Sequence, residues 1–208
     1  VKDNSLINSI PDSESDKLLK QWGYDLKADC FKIISFANIS KPAAVLDLAT
    51  GTGRICSVLT RFGYNVITGD YKQADIEKAK SRITHSFLHQ VSFISVNMEV
   101  LPFKDNTVEN IVCLNTIHEL DNPRKCIKEM MRVHSGKGKL VISDFSKKGF
   151  ELMQRIHEII YGNDHRTGFI TMEEIKELLC SEFISVRSLC SELNVSHVAS
   201  GKKINPRP

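Results

Sequence analysis

No stretch of the 208 residues reaches the apolar length needed to cross a bilayer, and Val1-Lys-Asp-Asn-Ser has no apolar core of signal-peptide type. A cytoplasmic protein with no membrane partner is expected. Cysteine clustering is also missing: Cys30, Cys56, Cys113, Cys126, Cys180 and Cys190 are far apart, with no C-x-x-C pair and no Cys/His spacing of a zinc site. Reduced packing residues are predicted. Excess charge is missing too, because 28 Lys and Arg against 25 Asp and Glu leave a formal net charge of only +3, spread rather than patched. That argues only weakly for a nucleic-acid partner. With 41% hydrophobic and 25% charged residues, the chain has the make-up of an ordinary globular domain able to bury one core.

One stretch organises what is present: Val45-Leu-Asp-Leu-Ala-Thr-Gly-Thr-Gly-Arg-Ile-Cys56. Its apolar run reads as a buried parallel strand, in which Asp47 is costly unless partnered. Gly51 and Gly53 then allow a turn closed to other residues and a close backbone approach to a ligand, before a helix starts near Arg54. Strand, glycine turn and helix serve both dinucleotides and adenosyl compounds. The third glycine of the dinucleotide fingerprint is lacking, since Cys56 stands in its place.

Asp47-Leu-Ala-Thr-Gly-Thr-Gly53 resembles the first motif of the class I S-adenosylmethionine-dependent methyltransferases, with Ala49 at the family's usual first glycine. The resemblance implies a Rossmann-like α/β fold: a seven-stranded, mostly parallel sheet with an antiparallel last strand and helices on both faces. The rest of the chain supplies suitable elements. Tyr64-Asn-Val-Ile-Thr-Gly-Asp70 reads as a second strand, Val91 to Val96 as a third, Val108 to Asn115 as a fourth and Lys139 to Asp144 as a fifth, alternating with helical segments. Thr171-x-x-Glu174 is a capping box opening the last helix. Two alternating segments from Phe183 and Leu193 then form a hairpin that dinucleotide folds generally lack.

Residues 1–14 are polar and are expected to be a mobile tail, with one methyltransferase domain over 15–208. Residues 16–38 show helical spacing broken at Gly23. By resemblance, residues 15–40 would form a helical lid with Trp22 and Tyr24 facing the cofactor; by burial alone these aromatics read as core. A helix is predicted over residues 73 to about 87. It brings His85 and His89 four apart, but no third ligand is evident and no metal site is expected.

A carboxylate closing the second strand, about 20 residues beyond the glycines, suits a ribose diol, which singles out Asp70. With S-adenosylmethionine as cofactor, the resemblance assigns its contacts to Asp47, Ala49, Thr50, Gly51, Gly53, Asp70, Tyr71, Asn97, Met98 and Asn115. Asn97 replaces the family's usual aspartate at the adenine amine, where an amide oxygen still accepts. Asn115-Thr-Ile-His-Glu-Leu-Asp121 falls at the methyl-transfer face, so His118, and His165 from a later loop, are the candidate catalytic bases. A small-molecule acceptor is expected, since neither an appended nucleic-acid module nor a long basic arm is seen. An NAD-type oxidoreductase and a non-catalytic S-adenosylmethionine-binding protein are the alternatives. Neither the acceptor nor the oligomeric state is legible.

Overall fold

The computed structural model describes residues 4–71 and 73–203. Seven strands form one sheet: β1 (Ala44–Leu48), β2 (Asn65–Asp70), β3 (Val91–Ser95), β4 (Ile111–Leu114), β5 (Leu140–Phe145), β6 (Phe183–Cys190) and β7 (Asn194–Lys202), in the order β3-β2-β1-β4-β5-β7-β6. The first five are mutually parallel. β7 inserts between β5 and β6 and runs antiparallel to both. The strand order reverses at β1 and β4, and a crevice opens beyond the carboxyl ends of strands at such a switch point.

The period of two along each strand divides the core. Val45, Val112, Leu114 and Val141 pack on one face, under α3 (Leu26–Ala37), α4 (Arg54–Arg61) and α7 (Lys147–Ile160). Leu46, Leu48, Ile111, Cys113 and Ile142 pack on the other, under α6 (Pro123–Val133) and α8 (Met172–Glu182). The helix α5 (Gln73–Ile83) joins the first face through Ala79 and Ile83. All six cysteines are free, four of them buried.

Several expectations are corrected. The segment up to residue 14 is not a loose tail in the described residues: α1 (Asn4–Asn8) leads into a stretch that buries Ile7 and Ile10 in the core. Lys27 holds this stretch by donating to the Ile10 carbonyl at 2.7 Å and pairing with Asp12. Two isoleucines among polar residues carry too little pattern to reveal this. The helix expected to reach residue 87 stops at Ile83, where Thr84 takes φ 71°, and residues 85–90 form a 3₁₀ helix that carries His85 and His89. Asn122 stands at the cap position of α6, and Asp121 before it pairs with Arg166 at 2.9 Å. The helix α7 is opened by Ser146, whose hydroxyl accepts from the Gly149 amide at 3.0 Å.

Helix α2 (Glu14–Gln21) follows α1 and precedes α3, with the break at Gly23 as expected. Trp22 and Tyr24 pack against the core, under Arg155 and Lys148 respectively. What ties α2 to the site is Asp16, which completes the capping box with Ser13 and is 3% exposed. It pairs with Arg82 of α5 and, at 3.1 Å, with Arg54 of α4. Burial opposes its charge, but the two guanidiniums outweigh burial and lower its pKa from 3.8 to about 2.

Asp16→Asn leaves Arg82 buried without its carboxylate and should cost about 3–5 kcal/mol in urea unfolding at neutral pH. Because the folded pKa is depressed, the contribution of Asp16 is present above 3.8 and is lost as pH falls through about 2. The difference between wild type and variant should therefore shrink over that window.

Candidate active site

The site begins with Asp47, 1% exposed and paired in register with Thr68 of β2. The Thr68 hydroxyl donates to Asp47 Oδ2 at 2.7 Å, so the Thr50 hydroxyl, 2.7 Å away, donates in turn to Thr68. Burial raises the Asp47 pKa to about 7, against the opposing pull of the Thr68 bond. Asp47 does not line the cleft but lies under its floor, where it fixes the turn above through two hydroxyls.

That turn is made by residues of positive φ: Ala49 at 61°, Gly51 at 46° and Gly53 at 76°. Ala49 thus takes the left-handed conformation expected of the glycine it replaces. The Gly51 amide donates to Asp70 Oδ2 at 2.9 Å, and the Thr50 amide to the Gly69 carbonyl at 3.1 Å. Gly53 has a different duty. A Cβ there would stand 2.8 Å from the Ala79 Cα, so this glycine lets α4 and α5 touch and does not line the cleft.

The cleft has a volume of about 690 Å³, within the range of small-molecule sites. Of the expected cofactor residues, Ala49, Thr50, Gly51, Asp70, Tyr71, Asn97, Met98 and Asn115 line it. Tyr71 is 74% exposed at the mouth, and Met98 is 7% exposed. The Asn97 amide oxygen already accepts from the Glu99 amide at 2.8 Å, leaving one lone pair and its NH₂. Asn115, at φ 55°, accepts from Asn194 of β7, while its own buried NH₂ has no partner among the described residues. Arg54, Glu99, Thr116 and Asp121 also line the cleft, and their motifs did not single them out.

Among the described residues that line the cleft, the carboxylates of Asp70, Glu99, Glu119 and Asp121 stand beside the guanidinium of Arg54. Glu99 and Asp121 are also paired, with Lys125 and Arg166.

His118 and His165 stand behind this wall and do not line it, whereas Glu119 does. Their rings are 4.9 Å apart and both residues are buried. His118 Nδ1 lies 2.6 Å from Asp144 Oδ1, and the His118 amide donates to Asp144 Oδ2 at 2.9 Å. Burial lowers the His118 pKa, but Asp144 and then Glu119 outweigh it and raise it to about 9. His165 goes the other way, to about 4, through burial and the neighbouring His118. Asp144 closes β5 as Asp70 closes β2, so an acid ending an apolar run was the signal that would have found it.

A family described as "Methyltransferase domain" matches residues 39–204 of the chain. The chain belongs to the class I S-adenosylmethionine-dependent methyltransferases. It is 25% identical to the ubiquinone/menaquinone biosynthesis C-methyltransferase of Wigglesworthia glossinidia brevipalpis, over 98% of this chain and 81% of that protein. It is 32% identical to the like-named protein of Shewanella pealeana over 55% of this chain, which spans 47% of that relative's length. In fold it is similar to an S-adenosylmethionine-dependent methyltransferase from Aquifex aeolicus, with a TM-score of 0.61, 20% identity and coverage of 90% and 98% of the two chains.

Gly53→Ala combines a left-handed backbone with a clash against α5, and should destabilise this methyltransferase domain by about 2 kcal/mol or more, read from its urea midpoint.

Proposed function

We propose that this domain moves the methyl group of S-adenosylmethionine to a small-molecule acceptor that enters beside Thr116, Glu119 and Asp121. The observation that carries the reading is Asp70, which lines the cleft at the end of β2 with its carboxylate oriented by the Gly51 amide. A carboxylate so placed suits a ribose diol, and the adjoining turn of Ala49, Thr50 and Gly51 brings backbone to the cleft without large side chains.

The residues present fit an adenosyl sulfonium. Asn97 and Met98 offer a polar edge and an apolar contact for a base, and the buried NH₂ of Asn115, without a partner among the described residues, offers a donor. The chemistry that S-adenosylmethionine supplies is a methyl already activated by its sulfonium, taken by in-line displacement. The protein's own task is alignment of acceptor and methyl and exclusion of water. A proton-accepting role does not suit His118 by itself, since Asp144 holds it protonated near neutral pH.

Relatives named for ubiquinone and menaquinone biosynthesis support a small organic acceptor over a macromolecule. A cytoplasmic setting without a nucleic-acid partner belongs to the same reading, supported by the free cysteines and the scattered charge. Among the described residues, no helix is long and apolar enough to cross a membrane.

Calorimetry should show binding of S-adenosylhomocysteine and none of NAD; affinity for NAD alone would overturn the reading. Asp70→Ala should weaken S-adenosylhomocysteine by more than about 1 kcal/mol, roughly fivefold, as expected for loss of charge-assisted bonds. Unchanged affinity in a folded variant would remove Asp70 from the site.

A further inference from the structure

The chain brings together, behind the acceptor end of the cleft, three groups that are far apart in sequence. One donor atom each from His118, Glu119 and His165 lies within 4.8 Å of the other two. His118 Nε2 and His165 Nδ1 are both buried with no hydrogen-bond partner among the described residues, in side chains 2% and 7% exposed. Buried imidazole nitrogens are ordinarily satisfied; His118 Nε2 has only a long ion-pair approach to Glu119 and His165 Nδ1 has no partner among the described residues, so the pair calls for a ligand.

We propose that His118, Glu119 and His165 form a three-ligand site for a divalent transition metal of zinc type. His118 Nε2 stands 3.6 Å from Glu119 Oε1, close to the separation of roughly 3.4 Å expected for two ligands on a tetrahedral ion with bonds of about 2.1 Å. That distance is too long for a hydrogen bond and suits two atoms facing a common ion. Glu119 is exposed, so a small rotation closes the set around a cation.

The support behind the ligands is of the kind metal-bound histidines have. His118 Nδ1 donates to Asp144 Oδ1 at 2.6 Å, which fixes the ring with Nε2 toward Glu119, where a bound metal ion would displace the second proton of the imidazolium. His165 is positioned by its loop, whose backbone donates to Gln154 at 2.8 Å through the His165 amide. Arg166 donates to the Glu119 carbonyl at 2.7 Å, and Gly168 sits so close that a Cβ there would lie 2.7 Å from the His118 Cα. The loop is thus clamped onto the 3₁₀ turn Ile117–Glu119, which bears the other two ligands. Imidazole and carboxylate donors favour zinc, ferrous iron or a similar ion over magnesium or calcium.

Three protein ligands leave a coordination position open. Glu119 belongs both to the trio and to the cleft wall, which puts the site next to the space assigned to the acceptor. This use of the site rests on the methyl-transfer reading, whereas metal binding itself does not. An alcohol, phenol or thiol acceptor bound to the ion would release its proton to solvent. Its bond to the methyl carbon then forms as the carbon–sulfur bond breaks, the electron pair going to sulfur. No histidine need accept a proton.

The test uses the full chain, stripped with chelator, re-exposed to zinc alone and read by metal analysis and calorimetry, with S-adenosylhomocysteine affinity measured on the same samples. About one zinc per chain is expected, with at least about 100-fold weaker binding in His118→Asn and in His165→Gln, and about 10–100-fold in Asp144→Asn. Cobalt loaded into the stripped wild type should give ligand-field bands that change in Glu119→Gln, a readout that does not depend on the histidine variants folding. Zinc uptake by wild type no greater than by the His118→Asn/His165→Gln double variant, or cobalt spectra indifferent to Glu119→Gln, would overturn the proposal. Zinc binding without affinity for S-adenosylhomocysteine would support the metal site and overturn the reading of the cleft instead.

Discussion

The hydrogen-bond chain from Asp47 through Thr68 to Thr50 is the constraint on which the rest of the site depends. A carboxyl group buried at the end of β1 has to find a partner, and the parallel register places Thr68 opposite it. Thr68 passes the constraint to Thr50, and the Thr50 amide binds the Gly69 carbonyl. The turn between β1 and α4 is therefore stitched to β2 before any ligand is considered. Gly51 can then donate to Asp70, and the carboxylate at the cleft inherits its orientation from the one below the floor.

The same device recurs on the other side of the switch point. Asp144 ends β5 as Asp70 ends β2, yet it turns inward to hold His118 by ring and backbone. Three acids at the carboxyl ends of parallel strands thus have three fates: beneath the floor, on the wall, and behind it. The antiparallel β7 contributes as well, since Asn194 donates to Asn115 in the cleft. The hairpin that marks the fold topologically is also a structural support of the site.

The cleft shows why its two ends were unequally readable. The cofactor end is made of contiguous motifs, in which a strand, a turn and an acid follow one another within a few residues. Ala49, Thr50, Gly51 and Asp70 were legible because their neighbours in sequence are their neighbours in space. Gly53 was legible as a glycine but its reason was not, since Ala79, which it must touch, lies on another helix. Asp16 was invisible for the same cause: its partners Arg54 and Arg82 are distant in the chain. Ile7 and Ile10 gave no periodicity to read, and only packing against α3 and α4 shows them as core.

The sequence by itself determined the alternation of strands and helices, the closing hairpin, the glycine turn and the acids that end β1 and β2. These follow from local backbone preference and from the period of apolar residues, both written along the chain. Tertiary structure alone decided that Asp47 lies under the cleft, that α2 is anchored by a buried ion cluster, and that His118, Glu119 and His165 meet. The reason is physical: burial and pairing depend on which elements the sheet order brings side by side, and no spacing along a chain encodes that directly.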